Sequence, residues 1–197
     1  MADGPRYRVE YRRKRQGFTS YYKRLKLLKS GMPRFVVRKS NNATICQVIE
    51  YSDNGDKTVA AVSSLMLKKY GYKSHTGNIP AAYLAGYACG LKAKKKGLKQ
   101  AILDIGLYRS TKGSRIYAAL KGFADAGVQI AFDPKIVPDE RVIQGYSIEN
   151  YAKILESKHP EKYEKVYSKV LNENKLEPTK MVEHFQQIKK RISGEFA

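Results

Sequence analysis

Two stretches of this chain carry residues that could act on a partner: a run of cations at the front and a glycine-flanked loop near the middle. Arg12, Arg13, Lys14 and Arg15 stand together, Lys23, Arg24, Lys26 and Lys29 follow, and then come Arg34, Arg38 and Lys39. In the first forty residues 13 Lys and Arg face only Asp3 and Glu10, a net +11 out of the chain's formal +20. Like charges at that density destabilise a compact state, so they imply a polyanionic partner. Tyr7, Tyr11, Phe18, Tyr21 and Tyr22 lie among the cations, and flat rings stack on unpaired bases. Two other readings compete: a solvated basic tail and a membrane-surface helix. The second wants a broad apolar face, and this arm has only scattered Leu and Tyr.

The loop runs Gly106-Leu107-Tyr108-Arg109-Ser110-Thr111-Lys112-Gly113-Ser114-Arg115. It joins an apolar run to the start of a helix, where first-turn amides and the positive end of the helix dipole attract anions. Lys112 and Arg115 add charge. It is not a triphosphate-binding loop, because six residues separate its glycines and Ser follows the second glycine directly. The bland alternative is a glycine-rich turn with incidental cations. Elsewhere chemistry is sparse. Cys46, Cys89, His75, His159 and His184 have no metal-ligand or redox spacing, so no metal and no cofactor is expected, and both thiols read as small core residues. Asp104 is the one carboxylate on a core strand. A metal-dependent nuclease would need several converging carboxylates, which leaves that reading as the alternative to a binding protein. A non-specific nucleic-acid binder is the third.

The elements that position these residues follow from periodicity. Ser20 caps a short helix over residues 20–30, with Tyr21, Leu25 and Leu28 as its anchoring stripe and Gly31 and Pro33 as its stop. From Arg34 the pattern turns to period two. Segments 34–39, 44–51 and 57–63 predict an antiparallel meander, with Asn54-Gly55 in the second turn. Arg34, Val36 and Arg38 share one strand face, which predicts exposure to solvent or to a polyanion. Asn78 and Pro80 open a helix whose stripe, Ala81, Leu84, Ala85, Ala88 and Leu91, is mostly small. The Lys run before Gly97 complements its C-terminus. Residues 100–105 form a strand, Ser114 caps a second helix, and 128–132 form a fifth strand. The implied fold is α/β: a five-stranded mixed sheet with two crossover helices.

Three regions result: an arm and short helix (1–33), an α/β domain (34–132), and a linker with three amphipathic helices (133–197). From Glu149 onward 10 basic residues nearly balance 8 acids, so that extension reads as structural or protein-facing and should dock on the main domain or a neighbour. No apolar run reaches membrane-spanning length, and no apolar leader opens the chain, which predicts a cytosolic protein.

Three blocks, RRKRQGFTSYYKRLKLLKSGMPRFVVRKS (12–40), TGNIPAAYLAG (76–86) and LDIGLYRSTKGSRIYAALKGFADAG (103–127), resemble the universal large-subunit ribosomal protein eighteen family. The resemblance covers essentially the whole chain, and the helices after Gly145 look like the archaeal and eukaryotic form. It implies a sheet related to ribonuclease-H-like folds, a place in the central protuberance, and binding of 5S rRNA, often with 23S rRNA. The large-subunit protein five is an implied neighbour, and no homo-oligomer is expected. The RNA-binding residues it implies are Arg12, Arg13, Lys14, Arg15, Tyr21, Tyr22, Lys23, Arg24 and Lys26 on the arm and helix. Arg34, Arg38 and Ser40 on the sheet, Thr76 and Asn78 in the turn, and Arg109, Thr111, Lys112, Ser114 and Arg115 in the loop complete the cradle.

Overall fold

The computed structural model describes residues 4–172 and 176–196. Alternating apolar residues from Arg34 onward build the expected meander: β1 (Arg34–Lys39) pairs antiparallel with β2 (Thr44–Glu50), and β2 with β3 (Lys57–Ser63). A 3-10 helix (Ser64–Tyr70) then leads to α3 (Ile79–Lys95), the third helix after two short ones in the arm, α1 (Arg12–Arg15) and α2 (Tyr21–Leu28). The α3 cap is the one anticipated. Asn78 Oδ1 accepts the Ala81 N–H at 2.8 Å, and Pro80 sits in the first turn. β4 (Ile102–Asp104) returns parallel to β1, and α4 (Arg115–Asp125) follows it.

The strand order is β3-β2-β1-β4, four strands rather than five. The run VQIAF at 128–132 does not become a strand. Only Gln129 pairs, as an isolated parallel bridge with Gln100, and the chain then turns into a 3-10 helix at Pro134–Ile136. Val128 is buried and Ile130 packs on the core, so apolar burial accounts for the pattern that alternation alone assigned to a ladder. Among the described residues the sheet has these four strands, and the ribonuclease-H-like topology that the resemblance implies is not confirmed by them.

One face of the sheet holds the core. Phe35, Val37, Cys46 and Val48 meet Leu84, Ala88, Leu120 and Phe123, and the Phe35 and Phe123 rings stack at 4.0 Å. Full burial of such a ring stabilises by about 1.5–3 kcal/mol. The small stripe on α3 has a direct cause. At Gly86 an added Cβ would strike the Ala119 backbone, and at Gly122 it would strike the Tyr83 carbonyl, so α3 and α4 cross at near-backbone contact. Cys46 and Cys89 are both buried in this core.

The extension contains one short helix more than the stripes indicated: α5 (Glu140–Gln144), then α6 (Tyr146–Lys158), α7 (Pro160–Asn172) and α8 (Met181–Phe196). α8 does the docking. Met181, Phe185, Ile188 and Ile192 are buried against the domain, while α7 buries nothing. Lys189 Nζ donates to the Tyr83 hydroxyl at 2.9 Å and Arg191 Nη1 to the Tyr70 carbonyl at 3.0 Å. His184 stacks on Tyr72 with ring centres 5.5 Å apart, and its Nε2 accepts the Lys73 backbone N–H at 3.1 Å.

That hydrogen bond requires a neutral imidazole. Burial, helped by the charges of Lys73 and Arg191, pulls the His184 pKa below its ordinary 6.5. Above 6.5 neither the folded nor the unfolded chain holds this proton, so it adds no pH dependence. Below 6.5 the unfolded chain takes up a proton that the folded chain resists, and stability falls with pH until the folded pKa is reached. The melting temperature followed from about pH 7.5 to 5 should therefore decline less steeply in His184→Gln, which keeps an acceptor but cannot titrate. Parallel declines in the two proteins would show that the His184 pKa does not differ between the folded and the unfolded chain.

Candidate nucleic-acid interface

The arm is exposed along its length. Neither α1 nor α2 buries a residue. Within it the contacts are local: Lys14 pairs with Glu10, Arg13 Nε donates to Thr19 Oγ1 at 3.0 Å, and the Tyr11 and Tyr21 rings lie 5.2 Å apart. Ser20 caps α2 as anticipated, its Oγ accepting the Lys23 N–H at 3.4 Å. The stripe of Tyr21, Leu25 and Leu28 does not anchor the helix, since Leu25 is 54% exposed and Tyr21 is exposed too. Tyr22 is exposed with Lys26 Nζ over its ring at 4.5 Å. Lys23 stands in solvent beside them.

What ties α2 to the folded body is charge. Arg24 Nη2 donates to both Asp56 oxygens, at 3.0 and 2.9 Å. Asp56 Oδ2 also accepts Arg34 Nη2 at 2.7 Å, and Arg34 Nη1 reaches Asp104 Oδ2 at 2.9 Å. Arg38 closes the chain, with Nη2 on Asp104 Oδ1 at 3.2 Å and Nη1 on the Asp104 carbonyl at 2.9 Å. Gly106 takes part as backbone. Its φ of +62° turns the chain so that its N–H donates to Asp104 Oδ1 at 2.8 Å. Three guanidiniums and two carboxylates thus alternate across the face of the sheet that the core helices leave uncovered.

This arrangement corrects the exposure expected for β1. Arg34 is 4% exposed with both terminal nitrogens on carboxylates, so it is buried beneath the surface that a phosphate could reach. Arg38 is half exposed above it. Below α2, a groove of about 540 Å³ runs between the helix and the sheet, with Arg13, Lys23, Lys26 and Arg38 around its rim.

The loop after β4 lies at the end of the same sheet. Tyr108 is clasped to β1: its hydroxyl donates to the Lys39 carbonyl at 2.6 Å and accepts the Lys39 N–H at 3.2 Å. Arg109, Thr111 and Lys112 are exposed. Arg115 is not free in the same way, because its Nη1 donates to the Gly77 carbonyl. Ser114 occupies the first position before α4, yet its side chain makes no capping bond and Oγ is buried without a partner. Thr76 and Asn78 hold the turn rather than face outward. Thr76 is 5% exposed and donates to the Asn42 carbonyl at 2.6 Å, while Asn78 caps α3 and accepts from the Tyr72 hydroxyl at 3.0 Å. Ser40 is exposed beside them.

The candidate residues therefore divide. Arg12, Arg13, Lys14, Arg15, Tyr21, Tyr22, Lys23, Lys26, Arg38, Ser40, Arg109, Thr111 and Lys112 offer surface, whereas Arg34, Thr76, Asn78, Ser114 and Arg115 build what lies beneath. Arg24 does both. Sequence reasoning missed Asp56 entirely and met Asp104 only as a possible metal ligand. The signal for Asp104 was a lone acid between Lys99 and the cations of the loop, whereas Asp56, in a turn with Asp53 and close to Glu50, gave none. Among the described residues, no three His, Cys, Asp or Glu come together to hold a metal ion, and Asp104 is engaged by two arginines.

A family model described as ribosomal large subunit proteins 60S L5 and 50S L18 matches residues 5–100 and 92–133. The chain is also similar to the large ribosomal subunit protein uL18 of Ignicoccus hospitalis. Identity is 45% over 197 residues, which covers all of this chain and 96% of that protein.

The buried pair yields a quantitative expectation. Removing one partner of such a pair leaves an uncompensated charge, at a cost of about 3–5 kcal/mol, whereas replacing both by apolar residues costs far less. Asp104→Ala should lose up to about that much in urea unfolding, the remaining Asp56 contact limiting the loss, and Arg34→Met with Asp104→Leu should recover most of it. A single-variant loss below about 1 kcal/mol, the size of an exposed pair, would mean that Arg34 does not depend on Asp104.

Proposed function

The chain belongs to the family of ribosomal large subunit proteins 60S L5 and 50S L18, and on that footing we propose that it is a structural constituent of the large ribosomal subunit that binds 5S rRNA. In this reading it helps attach 5S rRNA to 23S rRNA in the central protuberance, beside the large-subunit protein five, in the cytoplasm. The observation that carries the reading is the exposed cationic arm standing at a set angle on a folded body.

Phosphate supplies most of the affinity. Arg12, Arg13, Lys14 and Arg15 with Lys23 and Lys26 displace condensed counterions from folded RNA, a gain that depends on salt and not on sequence. Tyr21 and Tyr22 add rings that can stack on unstacked bases. Arg38, Ser40, Arg109, Thr111 and Lys112 extend the contact to the end of the sheet. Because A-form helices are read through backbone and minor groove, selection of one RNA comes from the fixed angle between arm and sheet. Arg24 and Arg34 serve that angle from inside, Thr76, Asn78 and Arg115 hold the turn before α3, and Ser114 starts α4 beneath the loop.

The division of labour follows the three regions. Residues 1–33 meet RNA first, residues 34–132 add contacts to RNA and hold the angle, and residues 133–197 brace the domain and face neighbouring proteins. Nearly balanced charge from Glu149 onward and the burial of α8 support that last role. Among the described residues no carboxylate cluster supports the nuclease alternative, and no catalytic residue is assigned.

Arg12, Arg13 and Arg15 changed together to Gln test the arm. Every phosphate that is no longer neutralised lowers the slope of log affinity against log salt by roughly 0.7–0.9. The triple variant should therefore flatten the slope for 5S rRNA by roughly 2–3 units. An unchanged slope would take the arm out of the interface. Equal affinity of the parent protein for 5S rRNA and unrelated duplex RNA would favour a non-specific binder.

A further inference from the structure

The groove under α2 differs from the rest of the basic surface, because a patch of apolar side chains lies inside it beside the paired charges. Val36, Ile49, Leu103 and Ile105 line the sheet side. Opposite them stand Leu27 from α2 and Phe18 from the segment before it, whose ring is 69% exposed. The groove's volume of about 540 Å³ lies within the roughly 300–1,000 Å³ of pockets that take small ligands. The Arg24–Asp56–Arg34 bridge forms part of its wall. Gln47 lines it as well, half buried on β2, and its side-chain amide makes no hydrogen bond among the described residues.

An apolar patch on two sides, one uncommitted amide and a rim of Arg13, Lys23, Lys26 and Arg38 make three demands of an occupant. It must be flat and apolar on its faces, carry donors and acceptors on its edge, and be anionic where it leaves. We propose that the groove takes a single unpaired nucleotide of the bound RNA: the base enters between Phe18 and the sheet, Gln47 reads its edge, and the flanking phosphates rest on the rim. This deepens the RNA-binding reading above and rests on it. A duplex cannot supply such a group, because its bases are stacked and paired. An apolar helix from another protein would leave the cations at the rim unmatched.

Two probes separate the groove from general charge attraction: a single-stranded RNA octamer carrying one 4-thiouridine, and a blunt RNA duplex of the same length. With the full-length protein at moderate salt, the octamer should cross-link within residues 18–27, 36–49 or 103–106. Gln47→Glu places a carboxylate on the floor, and Phe18→Ala removes an exposed ring; neither disturbs the core. Each should weaken octamer binding about tenfold, the size of one base–aromatic stack, and duplex binding by no more than about twofold, because phosphate contacts persist. Equal losses on both probes, cross-links confined to other segments, or an acidic amphipathic peptide cross-linking to the groove in place of the octamer would each overturn the proposal. Failure to bind 5S rRNA, measured separately, would strike the ribosomal reading while the octamer result decided the groove.

Discussion

Arg34 is the group on which the functional face depends. A guanidinium cannot shed its charge, so burying one demands carboxylates within hydrogen-bond reach. Asp104 and Asp56 meet that demand from opposite edges of the strand, and each then has an oxygen to spare for a second arginine. Asp104 spends it on Arg38 and on the Gly106 amide, which fixes where the β4 loop begins. Asp56 spends it on Arg24, which fixes where α2 lies. One buried charge thus organises a loop and a helix that otherwise share little.

This matters because the two parts of the interface have opposite needs. The arm must keep its cations in water until RNA arrives, so it cannot bury itself in an apolar core. Yet an arm with no fixed angle would bind any polyanion. An ion pair between half-exposed partners is a weak tie, worth little by itself in solvent. Here its carboxylate is shared with a buried arginine that cannot move, and that gives the tie a fixed foundation. On the opposite side the charge-balanced extension fastens through apolar burial of α8 and a few directed bonds, without drawing on the cationic surface.

How far all this could be read in advance depended on distance along the chain. The Asn78 cap, Pro80, the Ser20 cap and the Asn54-Gly55 turn are local devices, and they appear where their neighbours predicted them. The small stripe on α3 announced close packing, which Gly86 and Gly122 then explain. Arg34 was misplaced because the groups that bury it lie 70 and 22 residues away, and alternation says nothing about what covers the polar face of a strand. Leu25 looked like an anchor because periodicity marks a face without saying whether anything lies opposite. Residues 128–132 looked like a strand because burial next to a sheet leaves the same apolar signature as pairing within it. Tyr108, read as part of an anion loop, proved to be the clasp that holds the loop on β1.

The claim that charge rather than apolar packing sets α2 over the sheet is open to one direct measurement: amide hydrogen exchange across residues 21–28, compared between the parent protein and Asp56→Asn. Local opening reports how firmly a segment is held without requiring the whole domain to unfold. If the Asp56 carboxylate holds the helix, these amides lose protection in the variant and approach the rate of the arm before them, while β1 to β4 exchange as before. Unchanged protection over 21–28 would contradict the account and return the positioning of the arm to contacts of Leu27 and Leu28.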